Sequence, residues 1–177
     1  VAAQTGARRA AGSSLVALAL VLSACARDAL DTPCPEVNVG ELVVTELDGS
    51  APEEQWLELY NASGATLDLT GVRVTLTKLD GSNAETFVVQ EGEQPPMAAG
   101  EYAVLRTTAE FPSGAGVDLV SCGRTIDRMI YRNLPNEGSY AFTGLIDPPD
   151  HAENDVEEQW CIDLEGSPGE RNPTCPE

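Results

Sequence analysis

The chain has 177 residues, with 29 Asp and Glu against 10 Lys and Arg and a formal net charge of −19. That length suffices for one ordinary domain around a single core. So acidic a surface repels phosphate backbones, which argues against nucleic acid as a partner and favours solubility.

At the start, Arg8 and Arg9 precede an unbroken apolar run from Leu15 to Leu22, and small residues then lead into Cys25. A basic segment, a short apolar stretch and a small-residue site have the form of a secretory signal, and eight apolar residues fall far short of the roughly 20 that span a membrane. Leu22-Ser23-Ala24-Cys25 resembles the lipobox of bacterial lipoproteins. The resemblance implies a helical signal peptide over residues 1–24, cleavage before Cys25 and acylation of its thiol. The membrane would then be a partner through the lipid, and Ala26 in place of an aspartate points, in that family's sorting pattern, to the outer membrane. One acyl chain anchors only marginally, whereas the several chains of that family hold a protein durably. Arg8 and Arg9 are the only charges in residues 1–24, so the remainder keeps eight basic and 29 acidic residues, a charge of −21.

Residues 25–39 carry two prolines and little periodicity and read as a tether, of which the thirteen residues 26–38 span at most about 45 Å. The domain is expected over residues 40–177. From Glu41 onward, short apolar alternations are broken by turn residues, the pattern of an all-β domain. The first strand is expected over 41–47 with Leu42 and Val44 inward, and the second over 55–61 with Leu57 and Leu59 on one face and Trp56, Glu58 and Tyr60 on the other. A brief strand follows at 66–69. Val72, Val74 and Leu76 then alternate with polar residues, and Asp80-Gly81 signals a hairpin into a strand at 85–90. Further strands are expected at 101–106, at 117–121 and 125–131 flanking Cys122-Gly123-Arg124, and at 138–143. About eight short strands predict a two-sheet β-sandwich, with a closed barrel as the alternative.

Assigning Cys25 to lipid leaves Cys34, Cys122, Cys161 and Cys175, an even count that reads as two disulfides in an exported chain. Of the three possible pairings, Cys34–Cys175 would close the ends of the domain and Cys122–Cys161 would tie a strand to the late acidic stretch. Zinc lacks its spacing, since no CxxC pair exists and His151 is the single histidine.

The order of these signals resembles a lamin tail domain. The residues that carry the likeness begin with Val43-Val44-Thr45-Glu46, Trp56-Leu57-Glu58-Leu59-Tyr60-Asn61 and Leu67-Asp68-Leu69-Thr70-Gly71. It continues through 97–105, Val117-Asp118-Leu119-Val120 and Asp127 to Ser167-Pro168-Gly169-Glu170-Arg171-Asn172. The resemblance covers roughly residues 41–173 and implies an immunoglobulin-like sandwich. Its departure is the charge, which speaks against a chromatin-binding role. Each residue also has a purely structural explanation: Asn61 can bridge its own turn, Trp56 can pack on a sheet face, and Glu58 can pair with Arg73 or a tyrosine hydroxyl.

For catalysis, the sequence offers no nucleophile elbow, phosphate loop or dinucleotide fingerprint, and His151 lies alone in the acidic stretch 147–158, read as a flexible loop. No cofactor is expected. Asp147, Asp150 and Asp155 in that stretch are hard oxygen donors of the kind calcium takes, but without the spacing of an EF-hand they are read first as a solvated acidic loop, and no metal is expected. Asn61-Ala62-Ser63 is formally a glycosylation sequon and is read as chance. The expectation is a non-catalytic, lipid-anchored envelope protein whose sandwich meets a protein or cell-surface partner. The alternative is a calcium-dependent adhesin or an accessory to an extracellular hydrolase.

Overall fold

The computed structural model describes residues 34–49, 55–82 and 84–176. The expected signal peptide and Cys25 lie outside the described residues.

Among the described residues nine strands follow one another: β1 (Leu42–Asp48), β2 (Gln55–Asn61), β3 (Arg73–Lys78), β4 (Ala84–Val88), β5 (Tyr102–Thr107), β6 (Ala115–Ser121), β7 (Arg124–Tyr131), β8 (Ser139–Phe142) and β9 (Trp160–Asp163). They pair antiparallel into two sheets, ordered β5-β2-β1-β8-β9 and β4-β3-β6-β7. The protein is thus an all-β two-sheet sandwich.

Alternation explains most of the second sheet. On β6, Ala115, Val117 and Leu119 are buried while Gly116, Asp118 and Val120 stand half-exposed, and on β3 Val74 and Leu76 are fully buried. A pleated strand sends successive side chains to opposite faces, so such a pattern has one face to bury. Against these residues and Ile126 and Met129 of β7 pack Leu42, Val44, Leu47, Leu57 and Leu59 from the first sheet.

Both expected hairpins form. At Asp80-Gly81, the Asp80 carboxylate accepts the Ser82 N–H at 2.8 Å and Gly81 has φ of 80°. Between β6 and β7 the two-residue turn is Cys122-Gly123, with φ of 50° and 73°. A turn with both central residues at positive φ matches the right-handed twist of its flanking strands.

The first sheet departs from simple alternation. Its central strands β1 and β2 are buried on both faces, apart from Asp48 at the end of β1. The register shifts between Val44 and Glu46: Val44 pairs with Leu59 and Glu46 with Glu58, so Thr45 is an extra residue. A β-bulge of this kind re-aims side chains and lets Val44 and Leu47, three residues apart, both enter the core.

Four local expectations change. Leu67 makes a single bridge with Met97 instead of a strand over 66–69, its N–H and C=O bonding Met97 at 2.9 and 2.8 Å. β9 was not apparent in the sequence, because its four residues follow an acidic run and its pairing with β8 is non-local. The packed domain takes in part of the expected tether: Val37 is buried, Arg124 donates to its carbonyl at 2.8 Å, and the Gly40 N–H bonds Ile126 O at 2.9 Å. The acidic stretch is pinned by Asn154, 1% exposed, as the next subsection describes.

The disulfides are Cys34–Cys122 and Cys161–Cys175, in place of the expected Cys34–Cys175 and Cys122–Cys161. The reason is where the ends dock. Residues 35–37 run beside the β6–β7 turn, with Ser121 Oγ donating to Pro35 O, which puts Cys34 next to Cys122 with a Cα separation of 5.3 Å. The C-terminal segment returns over β8, the Cys175 N–H meeting Thr143 Oγ1 at 3.3 Å, beside Cys161 on β9.

These bridges span 88 and 14 residues. In the chain-entropy account the longer loop is worth about 4.5 kcal/mol and the shorter about 3 kcal/mol. Replacing Cys34 and Cys122 by serine is therefore expected to lower the urea midpoint more than replacing Cys161 and Cys175. Peptide mapping without reduction should recover the 34–122 and 161–175 pairs.

Candidate functional site

The bulge on β1 places Thr45 and Glu46 beside Glu58 of β2 on the face of the first sheet that points away from the other sheet. Both glutamates are fully buried. What encloses them is the turn Ser167–Asn172 that follows β9. The Ser167 N–H bonds Glu46 Oε1 at 3.1 Å and the Gly169 N–H bonds Glu58 Oε2 at 2.6 Å. Gly169 presents this N–H from φ of 85°, a conformation costly for residues with a Cβ. Thr45 Oγ1 lies 2.7 Å from Glu58 Oε1, Ser167 Oγ lies 3.2 Å from Glu46 Oε2, and Ser139 Oγ of β8 donates to Glu46 Oε1. Asn172 closes the turn, its Nδ2 donating to Thr45 O at 2.7 Å and Phe142 O at 3.0 Å.

Burial pushes the Glu58 carboxyl up to about 8, against the pull of its bonds to Thr45 and Gly169. Glu46 is raised as well, first by burial, against its bonds to Ser139 and Ser167. Glu58 was expected to meet Arg73 or a tyrosine hydroxyl; its partners are Thr45 and Gly169, and Arg73 is exposed on the other sheet.

A second buried polar group joins β1, β7 and the acidic stretch. Asp127 Oδ2 accepts the Val44 N–H and Asn154 Nδ2, each at 2.8 Å. Asn154 Nδ2 also reaches Val44 O at 3.1 Å, and Asn154 O accepts Trp160 Nε1 at 2.7 Å. Trp160 in turn stacks on Tyr140, with ring centroids 5.1 Å apart. Asp127 Oδ1 and Asn154 Oδ1 are buried without a partner, and burial lifts the Asp127 carboxyl to about 7.

The third buried group centres on Asn61. Its Oδ1 accepts the Ser63 N–H at 2.9 Å and Ser63 Oγ at 2.7 Å, and its Nδ2 is shared among the carbonyls of Ala65, Met97 and Ala98. The sequon asparagine is thus an internal turn-builder. Trp56, 6% exposed, is packed away as well.

The expected calcium residues are not brought together. Asp147 is paired with Arg171, Asp150 Oδ1 accepts the N–H groups of Ala152 and Glu153 in its own turn, and Asp155 is exposed. Among the described residues no three His, Cys, Asp or Glu converge as a metal site. His151 is half-buried against Gly40, where a Cβ would stand 2.5 Å from its Nδ1. A broad open cleft lies between the β3–β4 hairpin and residues 110–114, lined by Lys78, Asp80, Glu85, Glu110 and Phe111. It holds charge and one aromatic ring. Glu46, Glu58 and Asp127 stand within apolar strands, the one sequence signal that could have marked them as buried; their turn and loop partners, Ser167, Gly169 and Asn154, are far along the chain.

No protein-family model matches the chain, and neither a curated protein nor a solved structure matches it.

Asp127 supplies a test. Its folded-state carboxyl is raised from an ordinary 3.8 to about 7, so the stability it contributes is complete below its ordinary range and is lost as pH rises through about 7. Asp127→Asn keeps an oxygen for the Val44 N–H and Asn154 Nδ2 and removes the ionisable group. The variant is expected to flatten the decline in urea midpoint between about pH 4 and about pH 7, and to match or exceed the parent near pH 8. A midpoint below the parent's at about pH 8 would contradict this.

Proposed function

We propose that this chain is a lipid-anchored protein of the bacterial cell envelope, at the outer membrane, whose lamin-tail-like sandwich is a non-catalytic structural or protein-interaction module. The observation that carries the reading is Leu22-Ser23-Ala24-Cys25 standing behind Arg8-Arg9 and an eight-residue apolar run. Three signals in that order make a more specific pattern than a cysteine alone.

The structure adds support of a different kind. Glu46, Glu58, Asn61 and Asn172 belong to the motifs on which the lamin-tail likeness rests, and each is consumed by hydrogen bonds internal to the fold. Side chains committed in this way build a scaffold; they leave no buried acid–base pair turned toward a substrate. Eight residues separate Cys25 from Cys34, where the chain is tied to the β6–β7 turn. An acyl group on Cys25 would therefore hold the sandwich within about 30 Å of the membrane surface. An interaction module close to a membrane can offer strand edges and loop ends to a neighbour.

Metabolic labelling with a fatty acid tests the anchor. The parent protein is expected to incorporate the label and partition into the membrane fraction, and Cys25→Ala to lose both. Label retained in Cys25→Ala would overturn the assignment.

A further inference from the structure

Glu46 and Glu58 are register partners across β1 and β2, so two buried carboxylates oppose one another. None of the ion pairs Arg128–Asp118, Arg132–Glu157 and Arg171–Asp147 involves either of them. Like charges directly opposite in a sheet are unfavourable, and more so without solvent.

The hydrogen-bond partners repeat one pattern at both residues. One oxygen of each meets a backbone N–H, an obligate donor: Glu46 Oε1 with Ser167 and Glu58 Oε2 with Gly169. The other oxygen meets a hydroxyl: Glu46 Oε2 with Ser167 Oγ and Glu58 Oε1 with Thr45 Oγ1. A hydroxyl accepts as readily as it donates, so the surroundings of each side chain admit a neutral acid, carbonyl oxygen on an amide and O–H on a hydroxyl.

At Glu46 the hydrogens can be counted. Asn172 Nδ2 donates to the carbonyls of Thr45 and Phe142, which leaves Asn172 Oδ1 as an acceptor. Ser167 Oγ, 2.7 Å from that oxygen, must supply its single hydrogen there. The remaining contact, Ser167 Oγ to Glu46 Oε2 at 3.2 Å, then takes its hydrogen from Glu46.

We propose that Glu46 and Glu58 are both protonated in the folded protein, and that the Ser167–Asn172 turn is a cover held down by these protons, loosening as they leave. The proton on Glu46 Oε2 lies on Ser167 Oγ, whose own hydrogen lies on Asn172 Oδ1, so one chain of hydrogen bonds runs from the sheet to the end of the turn. Burial raises both carboxyls in the same direction. The other titratable groups facing the pair are Asp163 of β9, which opposes ionisation of Glu46, and Tyr102 of β5 with its neighbour Tyr60. Arg171, within the turn, is committed to Asp147 and to Gly144 O. None of the three ion pairs above reaches the two glutamates, whereas lifting the turn, whose Pro168 and Gly169 are already exposed, admits water to them. The closed form binds protons that the open form releases, so rising pH favours opening.

Amide hydrogen exchange in the full chain tests this. Protection at Ser167 and Gly169, corrected for the intrinsic pH dependence of exchange, is expected to fall at least about tenfold from about pH 5 to about pH 9. Glu46→Gln with Glu58→Gln reproduces the neutral donor and acceptor pattern, so this double variant is expected to stay protected throughout. Parent protection independent of pH, or the same loss in the double variant, would overturn the proposal. Should the double variant not fold, carboxyl carbon chemical shifts of the parent decide. Titration of both glutamates above the ordinary range supports the cover, and ionisation of either in that range refutes it.

Discussion

The β1 bulge is the constraint on which the rest of this molecule depends. One extra residue at Thr45 lets Val44 and Leu47 both reach the core while Thr45 and Glu46 flank Glu58 on the far face. A strictly alternating strand would have turned Leu47 outward or Glu46 inward, since a slip of one residue moves every later side chain to the opposite face. The polar far face is then a requirement with consequences. Two buried carboxyls need partners, and the turn after β9 supplies them through the backbone N–H groups of Ser167 and Gly169.

The same logic recurs at the residue just before the bulge. Val44 offers its N–H to Asp127 and its C=O to Asn154, so β7 and the acidic stretch both attach to one residue of the central strand. Long-range side-chain bonds thus do the work that a third layer of secondary structure does in larger folds. The two disulfides follow suit, one fixing the segment that enters the domain to the β6–β7 turn, the other fixing the segment that leaves it to β9. A net charge of −19 fits this design: most acids are surface residues, and the few that are buried sit within reach of hydroxyl, amide and backbone donors.

Much of the architecture was legible in the chain. Alternation in Val74–Leu76 and Val117–Leu119, together with Asp80-Gly81 and Cys122-Gly123, located the second sheet and its hairpins. Periodicity and turn chemistry are local, and they mark the β3–β4 and β6–β7 hairpins, while the pairing of β3 with β6 that joins them is long-range. β9 escaped notice because Trp160–Asp163 has no local partner, pairing with β8 across the whole acidic stretch. That stretch read as a solvated loop because its composition is polar; the buried contacts of Asn154 that pin it leave no compositional trace. The disulfide pairing was likewise undetermined, since an even cysteine count says how many bridges to expect and not which ends meet.

By itself the sequence determined the all-β class, most strand positions and the sign of the net charge, because each is written in composition or short-range pattern. Only the tertiary structure decided what the polar residues are for. Glu58 turned from an expected partner of Arg73 or a tyrosine hydroxyl into a buried acid held by Thr45 and Gly169, Asn154 from a loop residue into an anchor, and Cys34 from a tether residue into part of the domain. The physical reason is that the energy of a polar side chain depends on what covers it, and here the cover comes from residues more than a hundred positions away.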